Sequence, residues 1–244
     1  MMLLLCGEGS SDMGHASKPG PMAIMVDQQL KTKLGYSLLE IGQVTFLSEP
    51  ELAALARALS KLRKQSILLS GPKQLPGIAS IQRLARALGM HAQKLEKTEQ
   101  TPVIAVLFQD SDGTRSERSD HPRRWEDQRQ AIKKGFLLAD GYELGVPMIP
   151  KPKSEAWLLC ALKDPPYQHC LRLETLSGND DAPNALKKQL AAAMGRPYDN
   201  DEMIGYIRTS TVDINRIQDM PSCTAFKEDL KNACNHALRS NKQT

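Results

Sequence analysis

The feature that most limits what this chain can fold into is a pair of short runs that are apolar without alternation, MLLLC at 2–6 and PVIAVLFQ at 102–109. A strand with one wet face alternates, whereas a strand apolar at nearly every position needs cover on both sides, as in a parallel sheet enclosed by helices. The run SILLS at 66–70 has the same character. Helical patterns fall between these runs. Ser48 and Glu51 form a capping box ahead of Leu52, Leu55, Ala56, Leu59 and Leu62, a spacing that lays one apolar stripe along a helix. Ile78, Ile81, Leu84, Ala85 and Leu88 repeat the stripe. Strand, helix, strand, helix, strand predicts an α/β fold with a mostly parallel sheet flanked by helices.

After the run at 102–109 the sequence reads as a polar loop at 110–122, a helix at about 124–139 and an extended piece at 146–149. PKPK at 150–153 cannot continue a strand or a helix, and Ser154 is placed to cap a helix through Glu155, Ala156, Trp157, Leu158 and Leu159. Beyond residue 163 the chain turns loop-rich and then helical, with a last helix at about 222–238 opened by Pro221. With 244 residues there is room for one full domain and an appendage, so an α/β catalytic domain at 1–162 and a mainly helical extension at 163–244, packed on it, are expected.

Lys and Arg number 32 against 28 Asp and Glu, a net charge of +4 that matters only through its placement. The segment 115–134 gathers Arg115, Arg118, Arg123, Arg124, Arg129, Lys133 and Lys134, while acidic residues collect in short loops elsewhere. A basic stretch beside an acidic pocket suits a polyanion held by cations and cut with the help of metal. Cys6, Cys160, Cys170, Cys223 and Cys234 form no CxxC pair and leave an odd number, which indicates neither a zinc site nor a complete disulfide framework. A reducing, cytoplasmic setting is expected. The apolar opening is too short for a membrane span or a signal core, so no membrane contact is expected.

Three acidic loops follow predicted strands: Gly7-Glu8-Gly9-Ser10-Ser11-Asp12, Gln109-Asp110-Ser111-Asp112-Gly113 and Pro152-Lys153-Ser154-Glu155. In an open parallel sheet the carboxyl ends of the strands form the ligand crevice, so residues distant in sequence converge there. Several carboxylates in one crevice repel one another, and divalent cations are the usual remedy. Hard oxygen donors of this kind favour Mg2+ or Mn2+ over zinc.

MLLLCGEGSSD followed by VLFQDSDG resembles the TOPRIM fold, in which a first strand ends in a glutamate within a glycine-flanked turn and a later strand ends in DxD. PKPKSEAWLLC, and the tail containing MPSCTAF, resemble small stand-alone TOPRIM proteins related to the OLD-type nucleases of bacterial defence systems. The resemblance covers residues 1–162 firmly and the remainder loosely. It implies a TOPRIM/Rossmann-like α/β fold and metal-dependent cleavage of phosphodiester bonds in nucleic acid, in a bacterial or phage defence setting. Glu8 then resembles the family glutamate, general base or metal ligand, and Asp12 the second acid of that turn. Asp110 and Asp112 resemble the metal-binding pair, and Glu155 the additional ligand of a two-ion arrangement. Lys153, or Lys151, is the cation that would steady the scissile phosphate. The implied cofactor is Mg2+ or Mn2+, two ions about 3.5–4 Å apart, one activating a water and one offsetting charge on the leaving oxygen. Arg115, Arg118, Arg123, Arg124 and Arg129 are the expected nucleic-acid contacts. The chain has no GxxxxGK[ST] loop, so an ATPase partner, if needed, is a separate subunit. Homo-oligomeric assembly stays open.

Two rival readings use the same residues. DSDGT after an apolar strand also matches the nucleophile motif of HAD-type phosphatases, with Asp110 as the phosphoaspartate, Asp112 as acid and base, and Asp180 and Asp181 as metal carboxylates. Position argues against it: about a hundred residues of α/β pattern precede a motif that normally opens its domain, and Glu8, Asp12 and Glu155 are left without a role. The second rival is a non-catalytic subunit of a larger complex, against which the intact acidic motifs speak.

Overall fold

The computed structural model describes residues 1–9, 11–62, 77–111 and 124–240. The expected strand at 66–70, and Asp112, Arg115, Arg118 and Arg123, lie outside the described residues. In chain order the elements are β1 (Met2–Gly7), a small hairpin of β2 (Gly14–His15) and β3 (Lys18–Pro19), α1 (Pro21–Leu34), β4 (Val44–Leu47), α2 (Glu49–Leu62), α3 (Ile78–Glu99), β5 (Val103–Phe108), α4 (Arg124–Leu137), β6 (Gly145–Met148) and α5 (Ser154–Leu162). A 3-10 turn at Cys170–Thr175, α6 (Leu186–Met194), α7 (Asn200–Arg208), a 3-10 turn at Ile214–Arg216 and α8 (Pro221–Ser240) complete the chain.

The two unalternating runs are the centre of the sheet, as their composition requires. The order is β4-β1-β5-β6 with every neighbour parallel, and Gly7, Phe108 and Met148 stand level at the carboxyl edge. All six residues of β5 are buried, because α3 packs on it with α2 and α4 alongside, and α8 packs on it with α1 alongside. The chain is therefore an α/β protein with a mostly parallel sheet flanked by helices.

The capping box is present: the Glu51 carboxylate accepts from the Ser48 amide at 2.8 Å and from its hydroxyl at 2.5 Å, and the Ser48 hydroxyl receives the Glu51 amide at 3.4 Å. Two elements were not foreseen. β4 is a four-residue edge strand, VTFL, half-exposed throughout and too short to stand out as a run. α1 opens with seven consecutive buried residues, Pro21 to Asp27, the first six apolar, so its start has no stripe, and a short apolar run of this kind does not declare itself strand or helix.

The residues beyond 163 share one hydrophobic cluster with the α/β part: Leu190, Met203, Ile207, Phe226 and Leu230 lie with Leu3, Leu5 and Val106. The fully buried Trp157 of α5 sits 5.7 Å from the Phe226 ring and donates its indole N–H to the Ser222 hydroxyl at 2.8 Å. The buried Glu174 carboxylate accepts from the amide and hydroxyl of Ser222 at 2.8 and 2.6 Å, so the start of α8 is held against α5.

Cys160 and Cys170 form a disulfide that joins α5 to the turn after it, and Cys6, Cys223 and Cys234 are free and buried. The pairing arises because the chain doubles back through Pro165 and Pro166, which cysteine spacing alone does not reveal. Among the described residues no helix is long and apolar enough to cross a membrane.

Candidate metal centre

Parallel pairing of β1, β5 and β6 sends the segments after all three strands out on one edge. Glu8 follows β1 directly, its amide bonded to the Phe108 carbonyl at 3.2 Å and one carboxylate oxygen out of solvent reach. The chain then turns through Gly9 to Asp12, whose carbonyl receives the Met22 amide at 2.9 Å, while the Met13 carbonyl receives the Gly20 amide at 2.9 Å. These two bonds fasten the acidic turn to the start of α1.

Asp110 follows β5. The adjoining Ser111 is buried, and its amide reaches the Pro150 and Pro152 carbonyls at 3.2 and 3.0 Å, which pins the PKPK segment beside the end of β5. Ser154 does not cap its helix as the sequence suggests. Lys153, in extended conformation, is the cap residue, and Ser154 is the first helical residue. Its amide donates to Asp110 Oδ1 at 3.0 Å and its hydroxyl to Asp12 Oδ1 at 2.8 Å. A carboxylate from β5 thus caps α5 from outside, and one buried serine ties the acidic loops of two adjacent strands together.

Glu155 stands next in α5 within electrostatic range of Asp12 and Asp180. Burial pushes its carboxyl above the usual carboxylate range, and the charge of Asp12 adds to this, while Lys153 works the other way. Burial likewise raises Asp12, and the hydrogen bond from Ser154 leads the opposing effects. Both groups are costly to ionise where they sit, the condition a cation would relieve. Lys153, with its side chain 14% exposed, pairs with Asp180 at 3.1 Å. Among the described residues these carboxylates do not bring three ligand atoms within 4.8 Å of one another. The group that does so is Cys160, Cys170 and Asp219, whose sulfurs are bonded to each other and whose Asp219 carboxylate accepts from the Cys170 amide at 2.7 Å.

The helical extension contributes residues that the sequence reading did not single out. Tyr198 is half-buried, and its phenol is raised by burial and then by the charges of Asp12 and Glu155, while Lys187 lowers Asp12. Asn200 reaches the Ser11 carbonyl at 3.4 Å, and Asp201 pairs with Lys18 at 2.8 Å. No sequence signal marks these positions; the packing of α7 against α1 delivers them. Of the expected nucleic-acid contacts, Arg124 opens α4, and Arg129 together with Lys133 grips Asp229 of α8 at 2.9 and 2.7 Å. Arg129 also lies over the Trp125 ring at 5.9 Å, so it visibly ties two helices.

A carboxyl raised in the folded state holds its proton more firmly folded than unfolded, so ionised Glu155 subtracts stability at neutral pH and the loss is recovered as pH falls through the folded-state value. Without divalent cations, Glu155→Gln is expected to melt above wild type at about pH 8, with the advantage shrinking toward about pH 5. Melting curves across that range check it; a constant offset contradicts it.

Fold and side-chain contacts together define an α/β protein with Asp12, Asp110 and Glu155 gathered around Ser154 at the carboxyl edge of a parallel sheet. Compared with known proteins, the chain matches no protein-family model, no curated protein and no solved structure.

Proposed function

We propose that this chain is a metal-dependent phosphodiesterase, a nuclease of the TOPRIM/OLD type acting on nucleic acid. The observation that carries the reading is the double hydrogen bond of Ser154, which binds Asp12 and Asp110 into one unit beside Glu155 and Lys153. The donor set fits a hard divalent ion: it is all carboxylate oxygen, and burial raises both Asp12 and Glu155. Asp12, Asp110, Glu155 and Glu8 would hold Mg2+ or Mn2+, joined by Asp112 from outside the described residues. Such ions supply Lewis acidity, acidifying a water and offsetting charge on the phosphate.

The remaining work falls to the chain's own groups. Glu8, at the rigid end of β1, takes the proton of the attacking water. Ser154 keeps Asp12 and Asp110 in register, and the Lys153 ammonium lies against the negative charge that grows on the phosphate oxygens. A separate ATPase chain and a defence role belong to the same proposal.

The phosphatase alternative retains one favouring observation, because Asp180 reaches the crevice through Lys153. Labelled DNA and RNA oligonucleotides incubated with Mg2+ or Mn2+ separate the two readings. A nuclease shortens them and leaves Asp110 unmodified. Hydrolysis of an aryl phosphate with a phosphoaspartate at Asp110, detected by mass spectrometry, overturns the proposal.

A further inference from the structure

The contact between Lys153 and Asp180 is an ion pair between groups 27 residues apart, brought together where α6 packs on α5. Lys153 comes from the segment after β6 and caps α5, while Asp180 comes from the loop ahead of α6. That loop is shaped by its own bonds: the Asn179 side chain accepts the Asp181 amide at 3.0 Å, the Asn179 carbonyl accepts the Ala182 amide at 3.2 Å, and Lys188 holds the Ala182 carbonyl at 3.1 Å. Asp180 is therefore presented by a formed turn. Its side chain is 56% exposed, whereas Lys153 is 14% exposed, so the acid can leave for solvent while the lysine cannot.

The electrostatics make the contact unusual. Asp180 adds a further carboxylate to a crevice that already holds Asp12 and Glu155, and its charge raises Glu155. A carboxylate oxygen on an ammonium has the charge and hydrogen-bonding character of a phosphate oxygen on the same ammonium. We infer that Asp180 is an internal stand-in for the substrate: its carboxylate occupies the phosphate-binding position of Lys153, and a nucleic-acid phosphodiester must displace it to bind. The inference rests on the nuclease reading and specifies one subsite of it. The loop at 176–185 thus acts as a self-inhibitory strap, raising the threshold for weak or single phosphates and yielding to a polyanion that makes several contacts at once.

Anisotropy of a fluorescein-labelled single-stranded oligonucleotide, titrated with the full chain in Ca2+, measures the effect directly. Asp180→Asn is expected to bind about three- to fivefold more tightly than wild type, the upper range for a partly exposed ion pair. Asp181→Asn removes the same charge one residue away and calibrates the general relief of repulsion; it should change affinity by less than about 1.5-fold. In a Lys153→Ala background the Asp180→Asn gain should vanish, which a double-mutant cycle reads as coupling. Equal affinity of wild type and Asp180→Asn, with both binding well, overturns the inference and leaves the nuclease reading standing. An equal gain from Asp181→Asn, or persistence of the gain without Lys153, overturns it as well. Absence of binding by wild type and every variant removes the nuclease reading and the inference with it.

Discussion

Glu8→Gln and Asp110→Asn are each expected to lower metal-dependent cleavage by at least about a hundredfold, the upper range for disturbing even the outer partners of a metal site. Both should leave the fold intact. Gln keeps the size of Glu8 at the end of β1, whose backbone bond to Phe108 is untouched. Asn at 110 retains an oxygen to accept the Ser154 amide, so α5 keeps its outside cap while the charge is lost. Circular dichroism and thermal melting verify folding, and cleavage of a labelled oligonucleotide under matched Mn2+ verifies the loss. Full activity of either variant would remove that residue from the site.

Gly20→Ala is the second substitution with a large expected effect, and its origin is steric. Gly20 precedes α1 with φ −81, a conformation any residue adopts, so backbone freedom does not explain it. A Cβ there would stand 2.3 Å from the Asp12 carbonyl oxygen and 2.5 Å from that of Ser11, both backbone atoms that cannot rotate away. The acidic turn would have to lift off α1, breaking the hydrogen bonds from the Met22 and Gly20 amides to the Asp12 and Met13 carbonyls and drawing the Asp12 carboxylate away from Ser154. We expect a stability loss of about 1–3 kcal/mol, as for other overpacked sites, and Mn2+ affinity at least about tenfold weaker. Urea denaturation and a Mn2+ titration measure the two effects. Wild-type values in both would show that the turn adapts without moving Asp12.

Residue types that carry local information disclosed their structure in the sequence. The unalternating runs announced β1 and β5, Ser48 and Glu51 announced the start of α2, and an acid within two residues of each central strand's end placed Glu8 and Asp110 on the carboxyl edge. What depends on chain return was hidden. Ser154 reads locally as a helix cap, yet its hydroxyl is claimed by Asp12, 142 residues away in sequence. Tyr198 and Lys187 sit in segments with no strand before them, and only the packing of α6 on α5 and α7 on α1 brings them near Asp12; Asp180 was named by the phosphatase motif alone. Arg129 shows the reverse: its place in a basic run suggested a phosphate contact, while its observed partners are Asp229 and Trp125.

In the proposed function, the carboxylates of Asp12 and Asp110, joined by Ser154 beyond the ends of β1 and β5, hold divalent cations together. Electron paramagnetic resonance of Mn2+ titrated into the wild-type chain and an Asp12→Asn, Asp110→Asn double variant tests it without relying on catalysis. Wild type is expected to remove the free-ion signal with about two ions per chain, and the double variant to bind at least about tenfold more weakly while melting as a folded protein. Superimposable Mn2+ isotherms for the two proteins would contradict it.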